Sequence, residues 1–176
     1  MGGPTGIGAL LVRRGLRLDP WLVGGEQERA RRAGTESVLA AVGWAAACRE
    51  AAANLDDERR REREQTQQLR DSLAQLDGVE IFGHISEHLG HITCVGIEGI
   101  EPQAVLLELD RRSIAVHSGS ACASEDLLPS PVLAAMGVDA ARSLRVSVGW
   151  NTTDTDIAAF ESAIGPIIES LRALRR

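Results

Sequence analysis

Asp56-Asp57-Glu58-Arg59-Arg60-Arg61-Glu62-Arg63-Glu64-Gln65-Thr66-Gln67-Gln68 runs without one apolar side chain. Upstream, Val38 to Ala53 is rich in Ala with Val, Leu and Trp among them. Downstream, Leu69, Leu73 and Leu76 recur at helical spacing. Glu, Arg, Gln and Ala all favour the helix, so the pattern predicts helix from Val38 to about Leu76. Asn54-Leu55-Asp56-Asp57 is a candidate interruption or cap within it. A helix that turns from apolar to wholly polar and back to a narrow stripe is a connector between two packed bodies. Its first part, through Ala53, is apolar enough to be buried; its leucine stripe docks on the second body; Asp77-Gly78 ends it.

Behind the connector lies a polar, glycine-rich region. Met1 to Gly8 reads as a loop feeding a buried strand, Ala9-Leu10-Leu11-Val12. A domain seldom opens on a loop-to-core-strand junction, so the start is expected to be cut from something longer. Trp21 to Thr35 is a polar loop with clustered arginines. Thr35 or Ser37 caps the helix that begins at Val38. A helix start beside arginines also suits phosphate or carboxylate; a plain cap beside a solvated charge cluster explains the same residues.

Ahead of the connector the chain alternates short strands and helices. Val79-Glu80-Ile81-Phe82 and His91-Ile92-Thr93-Cys94-Val95 read as strands. Pro102, at a helix start, leads a helix through Arg112. Ile114-Ala115-Val116 reads as a third, buried strand. Ser130-Pro131 is a cap followed by a first-turn proline, with Gly137 closing the turn. Leu144-Arg145-Val146-Ser147-Val148 alternates as a half-buried strand should. Thr153 caps a last helix, with Pro166 as a kink. Three or four strands with helices on one face make an α+β layer fold. The boundaries are 1–54 for the first body with the start of the long helix, 55–77 for the connector and 78–176 for the second body.

Composition bounds the function. The 176 residues carry a formal net charge of −6, which leaves no electrostatic footprint for nucleic acid or an anionic membrane. No apolar run reaches the roughly 20 residues of a membrane span. Three scattered cysteines, Cys48, Cys94 and Cys122, argue against a disulfide framework and for a reducing, cytoplasmic setting. All 19 basic residues are arginine, so this chain supplies no lysine Schiff base and no lysine general base.

Chemistry-bearing residues concentrate late. Ser118-Gly119-Ser120-Ala121-Cys122-Ala123-Ser124 places a thiol among small residues that give little packing and much backbone freedom. That suits a sulfur that must travel; a buried free cysteine is the plain alternative. Arg145, on the strand face opposite Leu144 and Val146, is a natural carboxylate clamp or else a surface arginine. His84, His88, His91 and Cys94 have helical ligand spacing, but Gly83, Gly90 and the strand-forming Ile92-Thr93-Cys94-Val95 deny them a helix, and no metal site is assigned.

Taken together these segments resemble one family. Ser118 to Ser124, Pro129 to Gly137 and Leu144 to Gly149 are similar to cysteine desulfurases of the class V aminotransferase-like, pyridoxal-phosphate type. So are Gly24 to Thr35 and Gly3 to Leu10, in the correct order. The resemblance covers essentially the whole chain, as the C-terminal portion lacking the cofactor lysine. It implies an α+β small C-terminal domain of a fold-type I enzyme, plus a remnant of the large α/β domain, joined by a long helix. It implies conversion of L-cysteine to L-alanine with the sulfur passed to a cysteine persulfide. On that mapping Cys122 is the catalytic thiolate and Arg145 binds the substrate carboxylate. Thr35 reaches the cofactor phosphate of a neighbouring subunit, though Glu26 and Ala30 replace glycines of that loop. His117 stands where family members often carry Ser or Thr, and no catalytic role is assigned to it. Pyridoxal phosphate belongs to the full-length family, with no covalent attachment expected here and no turnover by the chain alone. Expected partners are a second copy or a desulfurase N-terminal half, and a sulfur-acceptor protein serving a pathway such as iron–sulfur cluster assembly. The alternative is a non-enzymatic persulfide carrier or dimerising partner.

Overall fold

The computed structural model describes residues 2–83, 88–118 and 130–174. The chain divides into two compact units, Met1–Asp56 and Asp57–Arg176.

In the first unit the described residues form loops, a single turn α1 (Gln27–Ala30) and the beginning of α2 (Val38–Leu73). The expected strand at Ala9–Val12 is not formed. Leu10 is 74% and Leu11 96% exposed, because this unit offers no second strand to pair with. The α1 turn is left-handed at Glu28 and Arg29, with φ of 50° and 60°, a conformation costing L-residues about 1–2 kcal/mol each. The apolar opening of α2 is also not buried as expected: Val38, Leu39 and Val42 all face outward.

α2 itself runs for 36 residues with no interruption at Asn54–Asp57. It ends at Leu73, and the chain leaves through Gly78 at φ +64°. The polar run departs from expectation at its far end. Gln65 and Thr66 are buried in the second unit. There the Gln65 side-chain amide donates to the Thr152 carbonyl and to Asp154 Oδ1, both at 3.2 Å. Arg61 donates to the Trp150 carbonyl at 2.8 Å. Side-chain hydrogen bonds, invisible to a hydropathy pattern, therefore begin the docking that Leu69 and Leu73 complete.

The second unit is a four-stranded antiparallel sheet with helices on one face. Its strands are β1 (Val79–Phe82), β2 (Ile92–Ile97), β3 (His117–Ser118) and β4 (Ser143–Ser147), in the order β1-β2-β4-β3. Helices α3 (Pro102–Asp110) and α5 (Asp154–Ala173) pack together, and α4 (Pro131–Ala135) precedes β4. The core joins Leu69 and Leu73 of α2 to Val95 and Ile97 of β2 and Leu144 and Val146 of β4. Val105 and Leu109 of α3 and Ile157, Phe160, Ile164, Ile167 and Ile168 of α5 complete it. The strand expected at Ile114–Val116 is displaced. Ser113 turns the chain at φ 61° and Ile114 N–H donates to the Leu109 carbonyl, so pairing with β4 begins only at His117.

The caps of α4 and α5 form as the sequence reads. Ser130 accepts from Leu133 N–H ahead of Pro131. Thr153 and Asp156 close a reciprocal capping box, and α5 continues through Pro166. Among the described residues no helix is long and apolar enough to cross a membrane.

Leu73→Ala should lower stability by about 2–5 kcal/mol, read from the urea midpoint, whereas Leu39→Ala, on the exposed stretch, should stay within about 0.5 kcal/mol. The backbone and side-chain hydrogen bonds of Thr153 hold the Asp156 carboxyl below its ordinary range. A carboxyl depressed in the folded state stabilises above its unfolded pKa and loses that contribution as pH falls through the folded value. Thr153→Ala should therefore flatten the acid limb of the stability profile, measured as thermal midpoint against pH.

Candidate functional site

β4 carries the alternation that builds the site. Leu144 and Val146 are buried among the helices, while Arg145 points to the opposite sheet face and is half-buried. Register fixes its neighbours. Phe82 of β1 pairs with Cys94 of β2, Cys94 with Arg145, and Arg145 with His117 of β3. Directly opposed residues of antiparallel strands share a face, with Cβ atoms about 4.5–5.5 Å apart. Phe82, Cys94, Arg145 and His117 thus form one row across the whole sheet.

Each member of the row is held differently. The Phe82 ring lies over Gly96, where an added Cβ would come within 2.5 Å of it. The Arg142 guanidinium sits over that ring at 5.9 Å from its centre and bonds Glu80 at 2.7 Å. Burial pushes the Cys94 thiol above its ordinary pKa, against the opposing pulls of the Arg145 charge and a Val95 backbone hydrogen bond. His117 Nδ1 contacts the Ser118 carbonyl; a carbonyl only accepts, so Nδ1 carries the proton. Arg145 forms no hydrogen bond or ion pair among the described residues.

The other residues singled out from the sequence fall elsewhere. Cys122, four residues beyond Ser118 in sequence, lies outside the described residues, as does His84. Cys94 sits on β2, so the His/Cys helical spacing is not realised. Among the described residues, no group of three or more His, Cys, Asp or Glu could hold a metal. Thr35 belongs to the first unit and is exposed. Ser37, not Thr35, caps α2, accepting from Ala40 N–H at 3.3 Å. Gly34, at φ +100°, donates its N–H to Gln27 Oε1 at 3.2 Å. The Arg32 guanidinium turns back on the Ala33 and Gly34 carbonyls. What the sequence did not reveal is that Cys94 and His117 flank Arg145. Alternation assigns each residue a face, but register assigns neighbours.

A helix-backed antiparallel sheet, with Arg145 on its other face and without an ion-pair partner among the described residues, defines an α+β domain. The Aminotransferase class-V family model matches residues 1–160, and the chain belongs to that family. It is 40% identical over 97% of its length to cysteine desulfurase 2 of Trichormus variabilis, and 41% identical to the cysteine desulfurase of a Nostoc species, spanning 44% of each. The solved NifS-like protein of Rickettsia africae superposes with a TM-score of 0.70 at 30% identity, over 88% of this chain and 41% of that one. A second NifS-like structure gives 0.74 at 27% identity. The chain therefore spans less than half the length of the relatives it matches.

These 176 residues include no lysine to hold pyridoxal phosphate, the family's cofactor, covalently, and Arg32, near Thr35, is turned onto the Ala33 and Gly34 carbonyls.

Arg145→Ala should raise the Cys94 thiol pKa further, because the charge that lowers it is removed. The pH profile of Cys94 alkylation by iodoacetamide, followed by mass spectrometry, should shift to higher pH.

Proposed function

We propose that this chain supplies the C-terminal part of a cysteine desulfurase. It would act in the cytoplasm, together with a partner region that brings the cofactor lysine, which these 176 residues do not contain. The observation that carries the reading is Arg145, a half-buried guanidinium without an acid partner among the described residues, on the strand paired with the one leading towards Cys122. Arg145 grips the α-carboxylate of L-cysteine through its planar fork. The Cys122 thiolate then attacks the substrate sulfur. An S–S bond forms and the substrate C–S bond breaks. L-Cysteine and the enzyme thiol become L-alanine and an enzyme persulfide, with no external oxidant. The cofactor, when bound, would supply charge stabilisation at the substrate Cα.

The first unit supports the need for such a partner. Leu11 and Trp21, each 96% exposed, and Val23 and Leu39 present apolar side chains to solvent. Exposed large apolar side chains of this kind suit an interaction surface. Thr35 is assigned to the cofactor phosphate of an assembled enzyme, and the persulfide sulfur passes to an acceptor protein.

The test mixes this chain with the remaining, lysine-bearing portion of the Trichormus variabilis relative, pyridoxal phosphate and L-cysteine, and measures alanine. Alanine release by the mixture but not by this chain alone is expected. Cys122→Ser should abolish it, and Arg145→Ala should raise KM for L-cysteine about tenfold to a hundredfold, the range for a lost charged hydrogen bond. Alanine release by this chain alone, or undiminished release with Cys122→Ser, overturns the proposal.

A further inference from the structure

We propose that His117 is a second carboxylate-binding residue, gripping the α-carboxylate of the amino acid together with Arg145. The inference rests on the reading of Arg145 given above. His117 and Arg145 are directly opposed on β3 and β4, on one sheet face, and both are half-buried. The ring is already oriented, since Nδ1–H is committed to the Ser118 carbonyl. Nε2 is left as the nitrogen with no partner among the described residues. A carboxylate has about four lone-pair sites, of which a bidentate guanidinium fills two. A donor one strand over is placed to fill a third.

Nε2 donates to the carboxylate when the ring carries both protons. Among the described residues, the other groups around His117 do not substitute for the ligand. Cys94, beyond Arg145 in the row, is held as a thiol by burial. Helix α3, packed against β3, carries Glu108, which Arg111 pairs at 2.8 Å, and the exposed Asp110.

The test is a nitrogen-15 NMR titration of the full chain with L-alanine, using ethylamine as the control that lacks a carboxylate. L-Alanine should move His117 Nε2 towards its protonated position and perturb Arg145 Nε, while ethylamine moves neither. His117→Ala should weaken L-alanine binding about tenfold. His117→Gln, which keeps an N–H donor but cannot titrate, should retain binding and lose its pH dependence. An L-alanine shift at Arg145 with none at His117 overturns this proposal and leaves the Arg145 reading standing. A shift at neither residue overturns both.

Discussion

The pairing of β2 with β4 holds the second unit together and also aims its chemistry. Val95 and Leu144 are opposed in register and fully buried beneath the helices. With those side chains committed to the core, the residues between them have only the other face to occupy. Slipping the register by one would place the Arg145 guanidinium among Leu109, Ile164 and Leu73, a cost far above what a domain's net stability tolerates. The arginine is therefore positioned by hydrophobic burial on the far side of its own strand. Gly96 contributes on the same strand pair, since its missing side chain lets Phe82 lie flat and close the end of the row.

How much of this was legible in the sequence depends on whether the covering partner lies within the chain. The caps at Ser130 and Thr153 are local, and the β4 alternation concerns one strand and one core, so all three are realised as read. The apolar residues at Ala9–Val12 and Val38–Ala53 state a need for burial, and the described structure leaves much of that need unmet. Hydropathy measures appetite and is silent about supply. The reverse error occurs at Gln65 and Thr66, read as solvated and found inside. Amide hydrogen bonds to the Thr152 carbonyl and Asp154 make burial tolerable for Gln65 there. The His117–Arg145 pairing was beyond reach for a third reason. β3 is only two residues long, and its start is set by the Ser113 turn rather than by the apolar run Ile114–Val116.

The two units differ in self-sufficiency. Every buried hydrophobic residue of the described chain lies in Asp57–Arg176. That unit holds a complete sheet, helices from both sides of the sequence and its own capped final helix. Met1–Asp56 contributes loops and the start of α2, with no buried side chain among its described residues. The chain spans less than half the length of these relatives. The carboxylate chemistry proposed here rests on Arg145 and His117, which belong to Asp57–Arg176.

Glu80 lies on the same sheet face as Arg145, two positions from Phe82 on β1. It is paired by Arg142, at 2.7 Å, whose guanidinium lies over the Phe82 ring. The ion pair is partly exposed and worth little to stability, about 0–1 kcal/mol. Cys94, the next candidate anion, is kept protonated by burial, so the immediate strand neighbours of Arg145 are a neutral thiol and an imidazole. On the carboxylate-binding role proposed for Arg145, its strand neighbours therefore bring no anion into competition with the ligand, and that follows from which side chains the β-register places beside it.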